Sequence, residues 1–298
     1  MSCSSQSWKT TDLSHKVALV TGANTGIGYE TALGLAQLGA RVLLHGRSKE
    51  KLDDALSRIR QASPQAKVEG LVADLSDMSQ VLQLAKQVSE KTEKIDILVN
   101  NAGIILDKRI PTPDGFESTF AINHLAPFLL TQKLLPLLEA AAPARVVTVS
   151  SDWHRATRGL DFDNLQHESG YEGKLVYQRS KLANIYFARI LANKLKDKKI
   201  NSNSLHPGVV RSRFGQDGDM GGALAFFFKL ARPFFITPEA GARTSMHLAA
   251  SPEVIEITGK YFSKCKVVSP SPAGQDDSAA ERLWSISEAL LERFLKAS

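Results

Sequence analysis

Residues 17–28 read Val-Ala-Leu-Val-Thr-Gly-Ala-Asn-Thr-Gly-Ile-Gly, a short apolar run that ends in a glycine-rich turn. From Ile27 to Leu38 the apolar residues recur at helical spacing, and Gly39 closes that helix. Glycines between a strand and a helix let the backbone approach a pyrophosphate, which the helix N-terminus stabilises. The spacing is T-G-x-x-x-G-x-G rather than G-x-G-x-x-G. It therefore indicates either a phosphate-binding turn or a plain strand-to-helix turn.

The rest of the chain repeats this alternation of short apolar runs and helical segments. Short, continuously apolar strands that are separated by helices belong to a parallel sheet covered on both faces. We therefore predict an α/β fold, a single-domain doubly wound parallel sheet of the Rossmann type with helices on both faces. The predicted strands are Val17–Val20, Val42–Leu44, Val68–Ala73, Ile95–Val99, Val146–Val149, Ile200–Leu205 and Lys260–Phe262. The predicted helices are Ile27–Leu38, Lys49–Gln61, Ser76–Lys91, Phe116–Leu138, Lys174–Leu195, Pro238–Ala250 and Ala280–Lys296.

The composition is that of an ordinary globular protein, with 298 residues, 43% of them hydrophobic, and a net charge of +6. The basic excess is small and no cluster combines basic with stacking aromatic residues, so we expect no binding of nucleic acid. We predict an N-terminal arm, residues 1–15, and one domain, residues 16–298. Its dinucleotide-binding half ends near residue 150, and its catalytic and substrate half covers 151–298. Two cysteines and no H-E-x-x-H pattern predict no metal site.

Two segments bear on membrane contact. Residues 1–15 contain no apolar core of a signal peptide or anchor, so we expect a cytoplasmic protein without a transmembrane anchor. Met220–Ile236 carries five phenylalanines after Gly221-Gly222, interrupted by Lys229 and Arg232. We interpret it as a mobile lid over an apolar substrate, as a peripheral contact with a membrane surface, or as an ordinary buried helix.

Residues that follow the next three strands indicate which dinucleotide binds. Arg47 follows the second strand, where an acidic residue would select NAD and an arginine accommodates the 2′-phosphate of NADP, so we predict NADP(H). Asp74-Leu75 and Asn100-Asn101-Ala102-Gly103 end the third and fourth strands, at the sheet edge where open α/β folds bind ligands. Asp74 also suits a helix N-cap, and the two asparagines also suit a turn.

Tyr177 and Lys181 lie four residues apart, on one face of a predicted helix. Because a nearby positive charge favours the phenolate, we expect Lys181 to lower the pKa of Tyr177 from its ordinary value of about 10. A tyrosine with such a pKa exchanges a proton with a carbonyl or alcohol oxygen. Ser150 and Ser151 end the fifth strand and offer a hydroxyl group to the same oxygen. Alone, a Tyr-x-x-x-Lys pair is also typical of a solvated helix surface.

In this order, these residues resemble the short-chain dehydrogenase/reductase family over essentially the whole chain. Within the family, the chain most resembles the retinol dehydrogenase-like branch. The family motifs are Thr21-Gly22-x-x-x-Gly26-x-Gly28, Asn100-Asn101-Ala102-Gly103, Asn123, Ser151, Tyr177-x-x-x-Lys181 and Pro207-Gly208. The branch is marked by Asn123-His124-Leu125, Asp163-Asn164-Leu165-Gln166, Ser180-Lys181-Leu182-Ala183-Asn184, Gly259-Lys260-Tyr261-Phe262 and Arg282-Leu283-Trp284.

The resemblance implies a role for each motif. Tyr177 is the general acid/base, and Lys181 lowers its pKa and holds the nicotinamide ribose. Ser151 orients the substrate oxygen, and Asn123 braces a proton-relay water near Lys181. The stretch between Ser151 and Tyr177 is longer than is typical of the family, and the branch shares such an insertion, here Asp152–Val176. The expected cofactor-binding residues are Gly22, Asn24, Thr25, Gly26, Ile27, Gly28, Arg47, Asp74, Leu75, Asn101, Ala102, Gly103, Tyr177, Lys181, Pro207, Gly208, Val210 and Ser212.

Together these features predict an NADP(H)-dependent oxidoreductase that transfers a hydride between nicotinamide and a lipophilic, retinol- or retinal-like alcohol or carbonyl substrate. The alternative from another class is a non-catalytic, NADP(H)-sensing regulatory protein on the same fold. In a glycine-rich methyltransferase fold, Tyr177 and Lys181 would have no catalytic role, so this interpretation is disfavoured. The family is often dimeric, so a homodimer is an expected assembly. Retinol dehydrogenases of this branch commonly carry an N-terminal membrane anchor, which residues 1–15 do not resemble.

Overall fold

The computed structural model describes residues 7–209 and 236–297, and within them the predicted alternation forms an eight-stranded sheet. Strands β1 to β8 are Val17–Val20, Arg41–Gly46, Val68–Val72, Ile97–Asn100, Ala144–Val149, Ile200–His206, Tyr261–Ser263 and Lys266–Val268. Helices α1 to α9 are Gly26–Gln37, Lys49–Ala62, Met78–Lys91, Ser118–Phe120, Ala126–Ala141, Gly173–Lys194, Pro238–Ala250, Asp277–Leu290 and Glu292–Lys296. Val210, Ser212 and all of Met220–Ile236 except Ile236 lie outside the described residues, so the roles predicted for them stay predictions.

The strand order is β3-β2-β1-β4-β5-β6-β7-β8, and every neighbouring pair is parallel except β7 and β8. Leu19 of β1 pairs with Leu43 of β2 on one side and Leu98 of β4 on the other. The strand order therefore reverses between β1 and β4, which opens a crevice at their carboxyl ends. This arrangement confirms the predicted fold class and places the glycine-rich turn at the crevice.

Successive residues of β1 face opposite sides of the sheet, and each side has its own buried layer. Leu19 packs with residues of α3, α5, α6 and α8, whereas Ala18 and Val20 pack with residues of α1, α2 and α7. Both layers consist of fully buried aliphatic and aromatic side chains. Continuous apolar strands such as β1 and β4 are therefore required, because neither face of the sheet meets water.

Three elements differ from the predicted ones. The predicted helix Ala280–Lys296 begins earlier, at Asp277, and is divided at Leu291 into α8 and α9. The predicted helix Phe116–Leu138 is divided into α4, a π-helical turn Ala121–Leu125 and α5. Strand β8 was not predicted. It pairs with β7 through a two-residue turn in which Lys264 and Cys265 have φ values of +51° and +61°. Such turns usually contain Asn-Gly, so a Lys-Cys pair gives no sequence signal for the hairpin.

Helix α8, the second-last helix of the chain, packs on α5 and α6 on the side away from the sheet. The Trp284 ring lies 4.7 Å from the Phe128 ring of α5 and 6.0 Å from the Phe187 ring of α6. Ser287 of α8 also hydrogen-bonds to His124 Nε2 in the π-helical turn, at 2.8 Å. The chain end thus fixes the two elements that carry Asn123 and Tyr177. Across residues 7–209 and 236–297, the helices are too short or too polar to cross a membrane.

Candidate active site

The glycine-rich turn between β1 and α1 requires glycine for two different reasons. Gly22 and Gly26 have φ values of +62° and +60°, in the left-handed region that favours glycine. At Gly28, a Cβ atom would lie only 2.2 Å from the carbonyl oxygen of Gly22. A side chain at position 28 would therefore push the first turn of α1 away from the loop.

Thr21 and Asn101 hold this turn against the end of β4. The Asn101 Nδ2 donates to the carbonyl oxygens of Thr21 at 2.8 Å and of Gly22 at 3.1 Å. The Thr21 hydroxyl oxygen accepts from the backbone N–H groups of Asn101 at 3.0 Å and Ala102 at 3.1 Å. The side chain of Asn101, a predicted cofactor ligand, therefore braces the turn, a role that its place at a strand end did not indicate.

The turn and the start of α1 fit a pyrophosphate group. Thr25 is the N-cap residue of α1, and within the described part of the chain its side chain accepts no capping hydrogen bond. The first N–H groups of a helix have no partner inside the helix, and the positive end of the helix dipole attracts anions. The backbone of Asn24 to Ile27 therefore fits the cofactor phosphates that the sequence predicts to bind here.

Arg47 and Asp74 follow β2 and β3, next to the turn in the sheet order. Arg47 is exposed and forms no hydrogen bond or ion pair with any residue that the structure describes. The Asp74 carboxylate accepts from the N–H of Ser76 at 2.9 Å, whereas Asp77 caps α3, so the alternative N-cap role of Asp74 is wrong. Leu75 is buried in the core, with 6% of its surface exposed. Arg47 is therefore available to an anion.

Ser151 and Tyr177 meet at the carboxyl end of β5. Ser151 follows β5, Tyr177 lies in the second turn of α6, and their side chains are hydrogen-bonded to each other. The Ser151 Oγ also accepts from the backbone N–H of Trp153 at 3.2 Å. The hydroxyl of Ser150, in contrast, is buried and donates to the carbonyl oxygen of Lys181 at 2.6 Å. Ser151 is therefore the serine that faces the Tyr177 hydroxyl.

Lys181 lies one helical turn further along α6 and is 3% exposed, so the alternative of a solvated surface pair is wrong. Its Nζ donates to the carbonyl oxygen of Val149 at 3.2 Å and lies 5.6 Å from the centroid of the Tyr177 ring. A Cβ atom at Gly103 would lie 3.0 Å from this Nζ. The loop after β4 and the Tyr177–Lys181 face of α6 therefore meet at the ammonium group.

The expected effect of Lys181 on the pKa of Tyr177 is wrong for this structure. Burial raises the pKa of Tyr177 to about 12, and the hydrogen bond with Ser151 only partly opposes that shift. Burial also lowers the pKa of Lys181 to about 8. At neutral pH the phenol is therefore protonated and able to donate, while the lysine keeps most of its charge.

Asn123 lies fully buried in the π-helical turn. Its Oδ1 accepts from the N–H of Ile104 at 2.8 Å, and its Nδ2 donates to the Ile104 carbonyl and to Ser180 Oγ, both at 2.9 Å. The Ser180 hydroxyl donates to the carbonyl oxygen of Tyr177 at 2.8 Å. Asn123 therefore connects the loop after β4 to the turn of α6 that holds Tyr177. Ser180 belongs to a branch motif in the sequence, but its role was not predicted, because a serine inside a helix gives no sign of its partners.

Two further groups reach the same edge of the sheet. Pro207 and Gly208 follow β6, and the N–H of Gly208, which has a φ of +91°, donates to His206 Nδ1 at 3.1 Å. The backbone N–H of Ile236 donates to the Val209 carbonyl at 2.9 Å, and both side chains are exposed. In the insertion, the Trp153 ring lies 5.7 Å from the Tyr177 ring at 83°. One aromatic side chain therefore lies against the Tyr177 ring, and two exposed apolar side chains follow β6.

A family model described as short chain dehydrogenase matches residues 16–219. The chain therefore belongs to the short-chain dehydrogenase family. Among the residues that the structure describes, no group of three or more His, Cys, Asp or Glu side chains is arranged to hold a metal ion.

Within that family the chain is similar to retinol dehydrogenases. Retinol dehydrogenase 14 of Homo sapiens is 39% identical over 290 residues, and Retinol dehydrogenase 12 of Homo sapiens is 41% identical over 276 residues. Each alignment covers 93% of this chain and 86% of the relative. Among solved structures, the Pseudomonas aeruginosa RhlG/NADP active-site complex is 30% identical with a TM-score of 0.68, over 85% of this chain and 96% of that one. The protein is thus an NAD(P)-dependent oxidoreductase of the retinol dehydrogenase-like branch.

Proposed function

We propose that the protein is an NADP(H)-dependent alcohol dehydrogenase or carbonyl reductase for lipophilic substrates, with Tyr177 as the general acid/base. The observation that carries the proposal is the meeting of the Ser151 and Tyr177 hydroxyls above the buried Lys181, at the crevice beside the glycine-rich turn. When bound, the nicotinamide supplies or accepts the hydride. The chain's own residues hold the substrate oxygen and move its proton.

In the direction of reduction, the carbonyl carbon gains a hydride and the Tyr177 hydroxyl gives its proton to the carbonyl oxygen, so the product is an alcohol. The Ser151 hydroxyl donates a hydrogen bond to the same oxygen and stabilises the charge that develops there. The raised pKa of Tyr177 keeps the phenol protonated at neutral pH, which is the form that reduction needs. Asn123 and Ser180 hold the turn of α6 that carries the tyrosine.

The choice of NADP(H) over NAD(H) rests on Arg47. We expect Arg47→Asp to lower the ratio of kcat/KM for NADPH to that for NADH by about 100-fold, because guanidinium–phosphate hydrogen bonds are lost and an acid then favours a ribose hydroxyl. Steady-state kinetics with both cofactors measure the ratio. Lys86→Asp makes the same change of net charge on the exposed face of α3 and should leave the ratio unchanged. An unchanged ratio in Arg47→Asp would remove the proposed preference.

The lipophilic substrate is supported by an aromatic ring beside Tyr177 and by exposed apolar side chains at the same edge of the sheet. The Trp153 ring contacts the Tyr177 ring, and the exposed Val209 and Ile236 lie after β6 at the same edge. The relatives named retinol dehydrogenases favour the same class. The proposals that Met220–Ile236 acts as a lid or membrane contact, that the protein is cytoplasmic, and that it forms a homodimer rest on the sequence and the family alone.

A substrate screen tests this function. We expect NADPH oxidation with all-trans-retinal and with steroid ketones at a lower KM than with short aliphatic aldehydes. Trp153→Ala should raise the KM for retinal by about tenfold, because it removes buried apolar area and an aromatic contact, and should change turnover of the short aldehydes little. Trp8→Ala removes a tryptophan beside the Pro252–Val254 turn and serves as the control. An equal KM change for both substrate groups would contradict the role of Trp153.

The same screen separates the proposed enzyme from the non-catalytic alternative. A regulatory protein would bind NADPH and oxidise it with none of the carbonyl compounds. The paired Ser151 and Tyr177 hydroxyls favour the enzyme, since a proton donor and a second hydroxyl group at one point serve a reaction on a carbonyl oxygen, whereas binding of the nucleotide alone does not require them.

A further inference from the structure

His45 is a buried histidine that the catalytic residues do not use. It is the second-last residue of β2, and 2% of its surface is exposed. Its backbone carbonyl oxygen accepts from the N–H of Ala23 at 2.8 Å, which joins β2 to the glycine-rich turn. A polar ring at this depth is stable only when its nitrogens find partners.

Both ring nitrogens of His45 have partners, and these fix the tautomer. Nε2 lies 3.0 Å from the carbonyl oxygen of Ala73, and the backbone N–H of Gly22 points at Nδ1 with a nitrogen–nitrogen distance of 3.4 Å. Because a carbonyl oxygen only accepts, Nε2 carries the hydrogen, and Nδ1 is left as the acceptor for Gly22. Burial lowers the pKa of His45 to about 4, which keeps the ring neutral and Nδ1 free to accept.

The peptide group between Thr21 and Gly22 is therefore held at both of its polar atoms. Its carbonyl oxygen accepts from Asn101 Nδ2 at 2.8 Å, and its N–H donates to His45 Nδ1. Gly22 adopts a left-handed φ of +62°, a conformation that the free chain visits as one of several. Two side chains, one from β2 and one directly after β4, thus approach from the two strands that flank β1 and set the plane of the peptide with which the turn begins.

We propose that His45 is a positioning residue for the cofactor, which pre-orders the glycine-rich turn so that its later N–H groups face the pyrophosphate. The inference rests on the proposed binding of NADP(H) in this crevice. Because the Gly22 N–H donates to His45, the phosphate-binding donors are the N–H groups of the residues that follow. Without His45 the turn must be ordered when the cofactor binds, and that ordering weakens the affinity.

Two amide variants separate the two nitrogens of His45. His45→Asn keeps an acceptor close to the Nδ1 position, facing Gly22, and loses the donor to Ala73. His45→Gln keeps a donor close to the Nε2 position, facing Ala73, and loses the acceptor for Gly22. We expect His45→Gln to raise the Kd for NADPH by about tenfold. This is the effect of losing one hydrogen bond when the donor, here the Gly22 N–H, is left unpaired. His45→Asn should bind NADPH nearly as tightly as the unmodified chain.

Calorimetric titration with NADPH gives the Kd, and amide hydrogen exchange of residues 17–28 without cofactor gives an independent readout of order in the turn. The expected pattern is faster exchange and weaker binding in His45→Gln only, with kcat at saturating NADPH unchanged in both variants. Equal losses of NADPH affinity in the two variants would overturn the proposal. So would losses of affinity that only follow the change in melting temperature. If the unmodified chain binds NADPH but reduces no carbonyl compound, the proposed enzymatic function fails while the Kd pattern still decides the role of His45.

Discussion

Tyr177→Phe is expected to lower kcat by about 1,000-fold, because a positioned proton donor contributes about 10² to 10⁴ to the rate and phenylalanine cannot replace it. The ring itself stays, so its contact with the Trp153 ring and the packing of α6 are kept. We therefore expect the Kd for NADPH to remain close to that of the unmodified chain. Steady-state turnover and calorimetric titration, made on the same preparation, measure the two quantities.

Tyr186→Phe is the matched control, since it makes the same chemical change in the same helix. The Tyr186 side chain is buried and its hydroxyl donates to the carbonyl oxygen of Ala273 at 2.7 Å rather than to a residue of the hydroxyl pair. Loss of that hydrogen bond should cost about 1 kcal/mol of unfolding free energy and leave kcat unchanged. If Tyr177→Phe instead lost NADPH binding, or kept its turnover, the tyrosine would be a structural residue.

Much of this site follows from the sequence because parallel strands end at a common edge. Residues that come directly after β1, β4, β5 and β6 must converge, whatever the details of the loops. The four-residue spacing of Tyr177 and Lys181 likewise fixes their common helix face. The sequence therefore predicted that the glycine-rich turn, the loop Asn100–Gly103, Ser151 and the α6 pair would come together.

The partners of buried polar groups did not follow from the sequence. Asn101 and His45 hold the two ends of one peptide group, although they belong to different strands and stand more than fifty positions apart in the chain. The π-helical turn around Asn123 has no residue pattern of its own, since it is stabilised by contacts with Ile104 and Ser180. Such features depend on which side chains face each other after packing, and local patterns do not contain that information.

The pKa of Tyr177 shows the same limit in electrostatic terms. The helical spacing correctly placed a lysine beside the phenol, and from it we expected a lowered pKa. The insertion places the Trp153 ring against the phenol, which the spacing does not describe. In the folded chain the loss of hydration outweighs the other influences and raises the pKa to about 12.

Burial of Lys181 leads to a second large effect, in which activity and stability change in opposite directions. We expect Lys181→Met to lower kcat/KM by about 100-fold or more, because a preorganised cation next to the reacting groups is lost. The same change should raise the free energy of unfolding near neutral pH, because methionine has a similar length and carries no charge that must lose its water. The Val149 carbonyl, which accepts from Lys181, keeps Asn184 Nδ2 as a partner at 3.2 Å.

The gain in unfolding free energy expected for Lys181→Met depends on pH, and this dependence follows from the folded and unfolded pKa values of Lys181. Its pKa is about 8 in the folded chain and 10.5 in an unperturbed lysine, so the unfolded chain binds the proton more tightly. Stability of the unmodified chain therefore rises between these two values, where only the unfolded state holds the proton. The advantage of Lys181→Met should be about 3 kcal/mol at most near neutral pH and about 1 kcal/mol near pH 9.5.

Urea unfolding of the unmodified chain and of Lys181→Met at these two pH values measures the difference in unfolding free energy. Lys133→Met serves as the control variant. Lys133 is a half-buried lysine of α5 whose Nζ donates to the carbonyl oxygens of Leu295 and Ala297. Its replacement should lower the unfolding free energy and leave kcat/KM unchanged, whereas Lys181→Met should raise the unfolding free energy and lower kcat/KM. A destabilised Lys181→Met, or an advantage that does not shrink as pH rises, would show that the ammonium group is not buried at a cost. Unchanged kcat/KM would remove Lys181 from the catalytic site, because the loss of a cation next to the reacting groups must weaken the stabilisation of the transition state.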